Sequence, residues 1–196
     1  MVISGPSGVG KGTIIESLLK KMPDLVFSIS ATTRSKRAEE KEGVHYFFIS
    51  RREFQKRIEA GAFLEWAKVH DDFYGTPRPF IDTHLSMGRT IILDIDVQGG
   101  LQVKKNFQDA LFIFIVPPTF DELWHRLKKR RTEKPSEIER RLKDAREELG
   151  HLVEYDYIVI NNDLKPAVED VYSIIRAEQC KKSRRLQEIR HALSAD

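Results

Sequence analysis

The sequence predicts an α/β fold of three layers, in which a central parallel sheet of about five strands lies between helices and carries a small β-rich insertion and a helical flap. Three observations predict it. Short apolar stretches alternate along the chain with segments of helical period. Charged and aromatic alternating segments replace this pattern between Thr32 and Ile81. A dense basic turn with few apolar anchors follows Arg126.

The core is predicted to begin with a strand at residues 2–3, followed by a helix. The apolar residues of that helix fall on one stripe and are Ile14, Ile15, Leu18, Leu19 and Met22. Pro23 ends it, because the proline ring removes a backbone donor and clashes with the preceding turn. Further core strands are predicted at residues 25–30, 91–97, 110–116 and 157–160. A last helix runs from Pro166 towards the C-terminus.

The insertion is predicted to contain its own small sheet. Strands at residues 46–49 and 63–69 flank a short helix, which Ser50 and Glu53 open as a capping box and Gly61 ends. Thr119 and Glu122 form a second box that opens the helix leading into the basic flap. We therefore divide the chain into a discontinuous core (1–31, 82–123 and 151–196), an inserted lobe (32–81) and a lid (124–150).

Composition excludes several classes of protein. The 196 residues include 33 Lys and Arg against 30 Asp and Glu, so the net charge of +3 demands neither nucleic acid nor membrane as a partner. The longest apolar run is far shorter than the roughly 18 residues that a membrane span needs. A single cysteine, Cys180, and a glycine motif that leaves no room for a secretory signal predict a cytoplasmic protein.

A glycine-rich loop carries the first functional signal. It follows a short strand, opens an amphipathic helix and consists of Gly5, Pro6, Ser7, Gly8, Val9, Gly10, Lys11, Gly12 and Thr13. In this context the backbone amides and the helix N-terminus cradle phosphate oxygens, and Lys11 reaches the β and γ phosphates. A glycine turn that merely caps a helix is the alternative, but strand, spacing, lysine and helix together favour a nucleotide site.

The metal ligands depart from the general pattern of such loops. Gly12 stands where a Ser or Thr usually follows the lysine, and Thr13 comes next. We therefore expect Mg²⁺ to be held mostly through water and nucleotide oxygens, with Thr13 and Asp94 as weak protein ligands. Asp96 is predicted to project from the same strand face as Asp94. The alternative is that these strand-end acids cap a helix or bind a structural arginine.

The sequence resembles the guanylate kinases, which transfer the γ-phosphoryl group of ATP to GMP. The resemblance covers nearly the whole chain and is carried by segments in the same order, namely 5–13, 28–34 with Arg37, 43–47, 63–66, 74–76 and 92–99. It implies a three-layer P-loop fold, ATP and GMP as substrates, and Mg²⁺ as the cofactor that accompanies ATP.

The chemistry of the GMP phosphate points to one set of residues. A dianionic phosphate is gripped by guanidinium groups and a tyrosine hydroxyl through charge-assisted hydrogen bonds. Arg34, Arg37 and Tyr46 are the candidates, and the resemblance implies the same role for them. It also implies that Tyr74 lies beside the phosphate. A solvated basic loop is the alternative, and it would suit Lys36 better.

Guanine itself requires acceptors for its N1–H and amino groups and donors for its carbonyl. Glu65 and Asp96 supply carboxylate acceptors, and Ser30 and Thr76 supply hydroxyl donors. The resemblance implies these same four contacts. From periodicity alone Glu65 would be a solvent-facing acid of an alternating strand.

The resemblance further implies a catalytic set of cations around the transferring phosphoryl group: Lys11, Arg34, Arg126, Arg130 and Arg141. Phosphoryl transfer needs positioning and cationic stabilisation more than covalent help, which arginines on a closing flap provide. Asn161, after the strand at 157–160, is implied to contact the adenine of ATP, although a simple Asn-Asp turn is the alternative.

Three other interpretations stay open. An adenylate kinase-like enzyme shares the Gly-Lys-Gly-Thr loop, but the acceptor-rich pair Glu65 and Asp96 argues against it. A non-catalytic protein-binding module of the same fold tends to lose the loop that is intact here. A nucleic-acid binder is motivated only by the basic segments 128–131 and 181–185. The sequence leaves monomer and homo-oligomer undecided.

Overall fold

The computed structural model describes residues 1–69, 71–129 and 135–193. In these ranges the strands are β1 (Val2–Ser4), β2 (Val26–Phe27), β3 (Ala31–Thr32), β4 (Phe47–Phe48), β5 (Phe63–Val69), β6 (Asp72–Pro77), β7 (Ile91–Asp94), β8 (Phe112–Val116) and β9 (Tyr157–Ile160). The helices there are α1 (Lys11–Lys21), α2 (Arg51–Glu59), α3 (Arg78–Ser86), α4 (Val97–Asn106), α5 (Phe120–Lys129), α6 (Pro135–Leu149), α7 (Leu164–Gln179) and α8 (Lys182–Leu193). A 3₁₀ turn at Leu152–Glu154 precedes β9.

The core is a parallel sheet of five strands in the order β2-β7-β1-β8-β9, which confirms the predicted fold class. Strands buried on both faces read as continuous apolar runs, and β8 is such a run. Helices α1 and α7 cover one face through residues such as Leu18 and Val171. Helices α3 and α4 cover the other through Ile81 and Val103. The glycine-rich loop therefore follows β1, which is the central strand of this sheet.

The insertion contains a second sheet of four strands in the order β4-β3-β6-β5. Its small core forms where Phe54 of α2 stacks on Phe63 at 4.5 Å and packs on Phe73 at 5.5 Å, measured between ring centroids. Ser50 accepts from the backbone N–H of Glu53 and so caps α2 as predicted. This sheet holds the aromatic residues of the insertion rigidly beside the core.

The structure corrects the expected placement of Asp96. Strand β7 ends at Asp94, and Asp96 is the N-cap of α4, its Oδ1 accepting from the backbone N–H of Gly99 at 2.8 Å. The two carboxylates therefore do not share a strand face. An aspartate at this position satisfies a free helix donor, which a longer strand would not do.

The end of the chain also differs from the sequence prediction. The last helix begins at Leu164, before the expected Pro166, because proline fits the first turn of a helix. It ends at Gln179, and a separate helix α8 starts at Lys182. Among the residues that the structure describes, no helix is both long and apolar enough to cross a membrane.

Candidate active site

The glycine loop connects β1 to α1 with a backbone that only glycine allows. Gly10 is the N-cap of α1 with φ 96°, in the left-handed region, and Gly5 has φ 147°. A Cβ atom at Gly5 would lie 2.2 Å from the carbonyl oxygen of Ile115. No side chain caps the first turn of α1, so its backbone N–H groups are open to an anion.

Lys11 lies at the start of α1 and folds back over the loop. Its ammonium group donates to the carbonyl oxygens of Gly5 and Pro6. Asp94 ends the neighbouring strand, and burial raises the pKa of its carboxyl while the charge of Lys11 opposes that rise. A cation and a buried carboxylate thus lie together at the carboxyl edge of the sheet.

Asn161 supports the loop from β9. It is 6% exposed, and its amide nitrogen donates to the carbonyl oxygen of Val9 at 2.7 Å. A Cβ atom at Gly10 would lie 2.6 Å from that same nitrogen. The side chain is therefore committed to the loop backbone here, and its contact with adenine stays a prediction.

Two of the three lid arginines lie against the loop. Arg126 of α5 is held by Glu122 at 2.7 Å and points its guanidinium at the carbonyl oxygens of Val9, at 3.4 Å, and Asn162, at 3.3 Å. Arg141 of α6 donates to the Ser7 hydroxyl at 3.0 Å. The third predicted arginine, Arg130, lies outside the described residues.

The inserted lobe gathers the predicted phosphate ligands of GMP. The Nε of Arg34 donates to the Tyr74 hydroxyl at 3.2 Å, and its guanidinium carbon lies 5.5 Å from the centroid of the Tyr46 ring. The rings of Tyr46 and Tyr74 meet edge to face at 5.9 Å. The side chain of Arg37 is exposed at the rim. Sequence-distant residues thus form one basic, aromatic-walled site.

Glu40 is a residue of this site that the sequence argument missed. Its carboxylate accepts from both terminal nitrogens of Arg34, at 2.6 and 3.1 Å, and from the backbone N–H of Arg37 at 2.8 Å. Although burial would raise the pKa of Glu40, the hydrogen bonds from Arg34 and Arg37 lower it overall. The available signal was an acid six residues after Arg34, at the end of an Arg-x-x-Arg-x-x-Glu spacing.

The predicted guanine ligands meet where β5 and β6 approach α4. Glu65 is 5% exposed, and its Oε1 accepts from the Thr76 hydroxyl at 2.6 Å. A Cβ atom at Gly99 would lie 2.4 Å from Oε2 of Glu65 and 3.3 Å from Oδ1 of Asp96, so both carboxylates flank that glycine. Ser30 is half-buried, and its carbonyl oxygen pairs with the backbone of Phe47.

Burial makes these carboxylates reluctant to ionise. It raises the pKa of Glu65 to about 7, with a further rise from the charge of Asp96. Burial also raises the pKa of Asp96, although the backbone N–H of Gly99 opposes the rise. A pair of buried acceptors suits a ligand edge that brings its own N–H donors.

The two halves of the site meet at Asp94. Burial, with a smaller contribution from the charge of Asp94, raises the pKa of the Tyr46 phenol to about 12. Lys11 acts on the same carboxylate from the loop side. Glu148 of α6, also missed by the sequence argument, is held by burial at a pKa of about 7 and feels both Lys11 and Asp96. The glycine loop and the lobe site are therefore contiguous.

The oxygen groups at this junction fit a magnesium ion that keeps most of its water. Asp94 offers a carboxylate beside Lys11, and Thr13 is exposed in the first turn of α1. The described residues include no group of three or more His, Cys, Asp or Glu able to hold a metal. Mg²⁺ commonly binds through one or two protein oxygens together with substrate phosphates and water, which agrees with this donor set.

A glycine loop at the carboxyl edge of a parallel sheet, with an inserted lobe that gathers Arg34, Tyr46 and Tyr74, is typical of P-loop phosphotransferases that act on two substrates. The family model described as guanylate kinase matches residues 1–178. The chain belongs to the guanylate kinase family and is an enzyme, a nucleoside monophosphate kinase. The predicted family and activity are thereby confirmed.

Individual relatives agree with this assignment. The guanylate kinase of Caldanaerobacter subterraneus subsp. tengcongensis is 53% identical over 94% of this chain and 89% of its own length. That of Thermotoga maritima is 49% identical over 96% of this chain and 91% of its own. The crystal structure of guanylate kinase from Anaplasma phagocytophilum is similar with a TM-score of 0.78, at 34% identity over 93% of this chain and 87% of that one.

A more distant likeness concerns the fold alone. The crystal structure of shikimate kinase from Bacteroides thetaiotaomicron is 15% identical with a TM-score of 0.50, over 89% of this chain and 96% of that one. Its sequence is too different to carry anything about substrate.

Proposed function

We propose that this chain transfers the γ-phosphoryl group of ATP to the phosphate of GMP, giving ADP and GDP, by direct in-line displacement in the cytoplasm. The observation that carries this proposal is the presence, in a chain whose residues 1–178 match the guanylate kinase model, of an uncapped glycine loop with Lys11 and of a lobe in which Arg34 bonds to Tyr74. The loop supplies a cradle for the phosphates of the donor, and the lobe supplies cations and hydroxyls for the phosphate of the acceptor.

The donor end binds the ATP phosphates. The uncapped first turn of α1 and residues 5–13 supply backbone N–H groups, and Lys11 exchanges its carbonyl partners for phosphate oxygens. Arg126 and Arg141 already contact the loop from the lid, and Arg130 joins them in our proposal. When bound, Mg²⁺ neutralises charge on the β and γ phosphates, with Asp94 and Thr13 as its protein ligands.

The acceptor end binds GMP. Because the Tyr74 hydroxyl accepts from Arg34, its own proton is available for a phosphate oxygen. Tyr46 and Arg37 complete the phosphate grip. Glu65 and Asp96 accept from the N1–H and amino groups of guanine, and the Ser30 hydroxyl faces its carbonyl. The Thr76 hydroxyl donates to Glu65 in this structure and turns to the carbonyl when GMP binds. Adenine offers no donor at N1 or C2, so it would give the two carboxylates no partner at those positions.

Catalysis consists of positioning and charge stabilisation. The γ-phosphoryl group carries negative charge on its equatorial oxygens as it moves, and Lys11, Arg34 and the lid arginines surround that charge. We propose that the lobe (32–81) and the lid (124–150) close on the core (1–31, 82–123 and 151–196), which excludes water from the transferring group.

A competition assay tests the proposal. Purified protein is incubated with ATP, Mg²⁺ and equal concentrations of GMP and AMP, and the two nucleoside diphosphate products are separated and quantified. We expect GDP as the main product beyond the ADP formed in equal amount from ATP. A preference for AMP would contradict the assignment of Glu65 and Asp96, and the absence of turnover with either acceptor would contradict the activity itself.

A further inference from the structure

The outer edge of strand β5 is held by a side chain instead of a strand. Strand β5 is at one end of the lobe sheet, with β6 as its neighbour. At Trp66 the backbone faces away from β6, and Gln102 of α4 satisfies both of its polar groups. The amide nitrogen of Gln102 donates to the Trp66 carbonyl oxygen at 2.7 Å, and its amide oxygen accepts from the Trp66 N–H at 3.3 Å. The side-chain amide of Gln102 thus makes the two hydrogen bonds that a neighbouring strand would make with Trp66.

Gln102 lies on the helix face that touches the guanine ligands. Gly99 and Gln102 are three residues apart and therefore share one face of α4. The absence of a side chain at Gly99 lets Glu65 approach that face, where Oε2 would lie 2.4 Å from a Cβ atom. Asp96 caps the same helix. The N-cap and first turns of α4 therefore carry three features of the site. These are Asp96, the glycine that Glu65 approaches, and Gln102, which bonds to the residue after Glu65.

Directional bonds are what fix the register of β5 on α4. Leu64 anchors the strand to the core by packing with Ile81 and Leu93. Apolar contact is non-directional, and it tolerates small slides of the strand along the helix. Two hydrogen bonds to one backbone residue do not tolerate such slides. The spacing between the Glu65 and Asp96 carboxylates therefore depends on Gln102.

We propose that Gln102 is a positioning residue for purine recognition, holding Glu65 in register with Asp96 so that both carboxylates meet the donor edge of guanine. This inference rests on the proposed function. Gln102 does not touch the nucleotide. It acts through the backbone of Trp66, whose ring is 37% exposed and packs on Phe73 at 6.1 Å.

Gln102→Met tests this inference, because methionine keeps the length of the side chain and loses both hydrogen bonds. Gln108→Met is the matched control, since Gln108 is exposed just beyond the same helix. Values of kcat and KM are measured for ATP, for GMP and for inosine monophosphate, which lacks the amino group of guanine. We expect KM for GMP to rise roughly tenfold, KM for ATP to stay unchanged, and the preference for GMP over inosine monophosphate to fall by a similar factor.

The outcomes separate the inference from the proposed function. Wild-type protein that fails to phosphorylate GMP contradicts the function. Active wild type with an unchanged GMP preference in Gln102→Met overturns the role of Gln102, even where the melting temperature falls. If Gln102→Met does not fold, Gln102→Glu replaces it, because glutamate keeps one acceptor and loses the donor. An unchanged preference in that variant overturns the inference as well.

Discussion

The two phosphate sites of this protein are built in opposite ways. The proposed ATP loop is one continuous segment, residues 5–13, and its shape depends on the backbone conformation at Gly5 and Gly10. The proposed GMP site assembles side chains from separate segments of the lobe, and one of them, Arg34, is held by the carboxylate of Glu40. A backbone site depends on a few glycines and one lysine, whereas a side-chain site depends on its supporting partners.

This difference predicts where substitutions act. In the loop, replacing Lys11 removes a mobile charge from an otherwise intact cradle and so affects the chemical step. In the lobe, replacing a proposed ligand or its supporting residue should weaken the binding of GMP and leave the KM for ATP unchanged.

Lys11→Ala should reduce kcat by about 10²- to 10³-fold, because a charged donor to the transferring phosphoryl group is lost. Steady-state formation of ADP and GDP measures it. Lys20→Ala is the control, since Lys20 is exposed on the same helix α1. An unchanged kcat would remove Lys11 from the proposed catalytic set.

Arg34→Ala should raise KM for GMP by about 10- to 100-fold, because charge-assisted hydrogen bonds to the phosphate are lost, and should also lower kcat, because Arg34 is one of the cations proposed around the transferring phosphoryl group. KM for ATP should change little. The matched control is Lys36→Ala, an exposed cation of the same loop. Equal effects on both substrates would show that the two sites are less separate than the geometry indicates.

Glu40→Gln should raise KM for GMP by about fivefold, less than loss of Arg34 itself, because the guanidinium remains but loses its carboxylate support. Glu39→Gln, at an exposed neighbour, controls for the change in loop charge. If KM for GMP falls instead, Glu40 competes with the phosphate for Arg34 and does not support its binding.

Glu65→Gln should flatten the dependence of stability on pH. The folded protein holds the pKa of Glu65 at about 7, above its ordinary value of 4.5, so the folded state binds more protons than the unfolded state between these values. Stability is therefore lost as pH rises through this window and does not recover above it. As pH rises through this window, the free energy of unfolding of the variant should fall less than that of the wild type, by on the order of 1–3 kcal/mol.

Urea denaturation at pH 5 and pH 8 measures this difference. Glu16→Gln serves as control, since Glu16 is exposed on α1. Parallel pH dependence of wild type and Glu65→Gln would mean that burial does not shift this carboxyl as described.

The sequence predicted much of the fold from local signals. Strand β9 (Tyr157–Ile160) and strand β5 (Phe63–Val69) were predicted at their observed bounds, because apolar or alternating runs bounded by polar residues are strong patterns. Strand β6 was missed, since Asp72–Pro77 contains both glycine and proline and is stabilised as a strand by pairing with β5 and β3. Asp96 was placed on a strand because nothing local showed where β7 ends.

The residues of the candidate site show the same division between local sequence signals and tertiary contacts. Segment order and residue type indicated Arg34, Tyr46, Glu65 and Tyr74, and the structure brings them to the lobe. The supporting residues Glu40 and Gln102 were not predicted, because a supporting residue is recognisable only by what it touches. The amide of Asn161 bonds to the loop backbone in this structure, and its predicted contact with adenine stays a prediction.

The sequence by itself determined the phosphate loop, the apolar strands and helices of the core, and the family, since these depend on residues that are close together along the chain. The approach of Glu65 and Asp96 to Gly99, and the ion pair of Glu40 with Arg34, arise only when the chain folds. The physical reason is that burial and hydrogen bonding between distant segments set the pKa and orientation of those groups, and neither is encoded in local pattern.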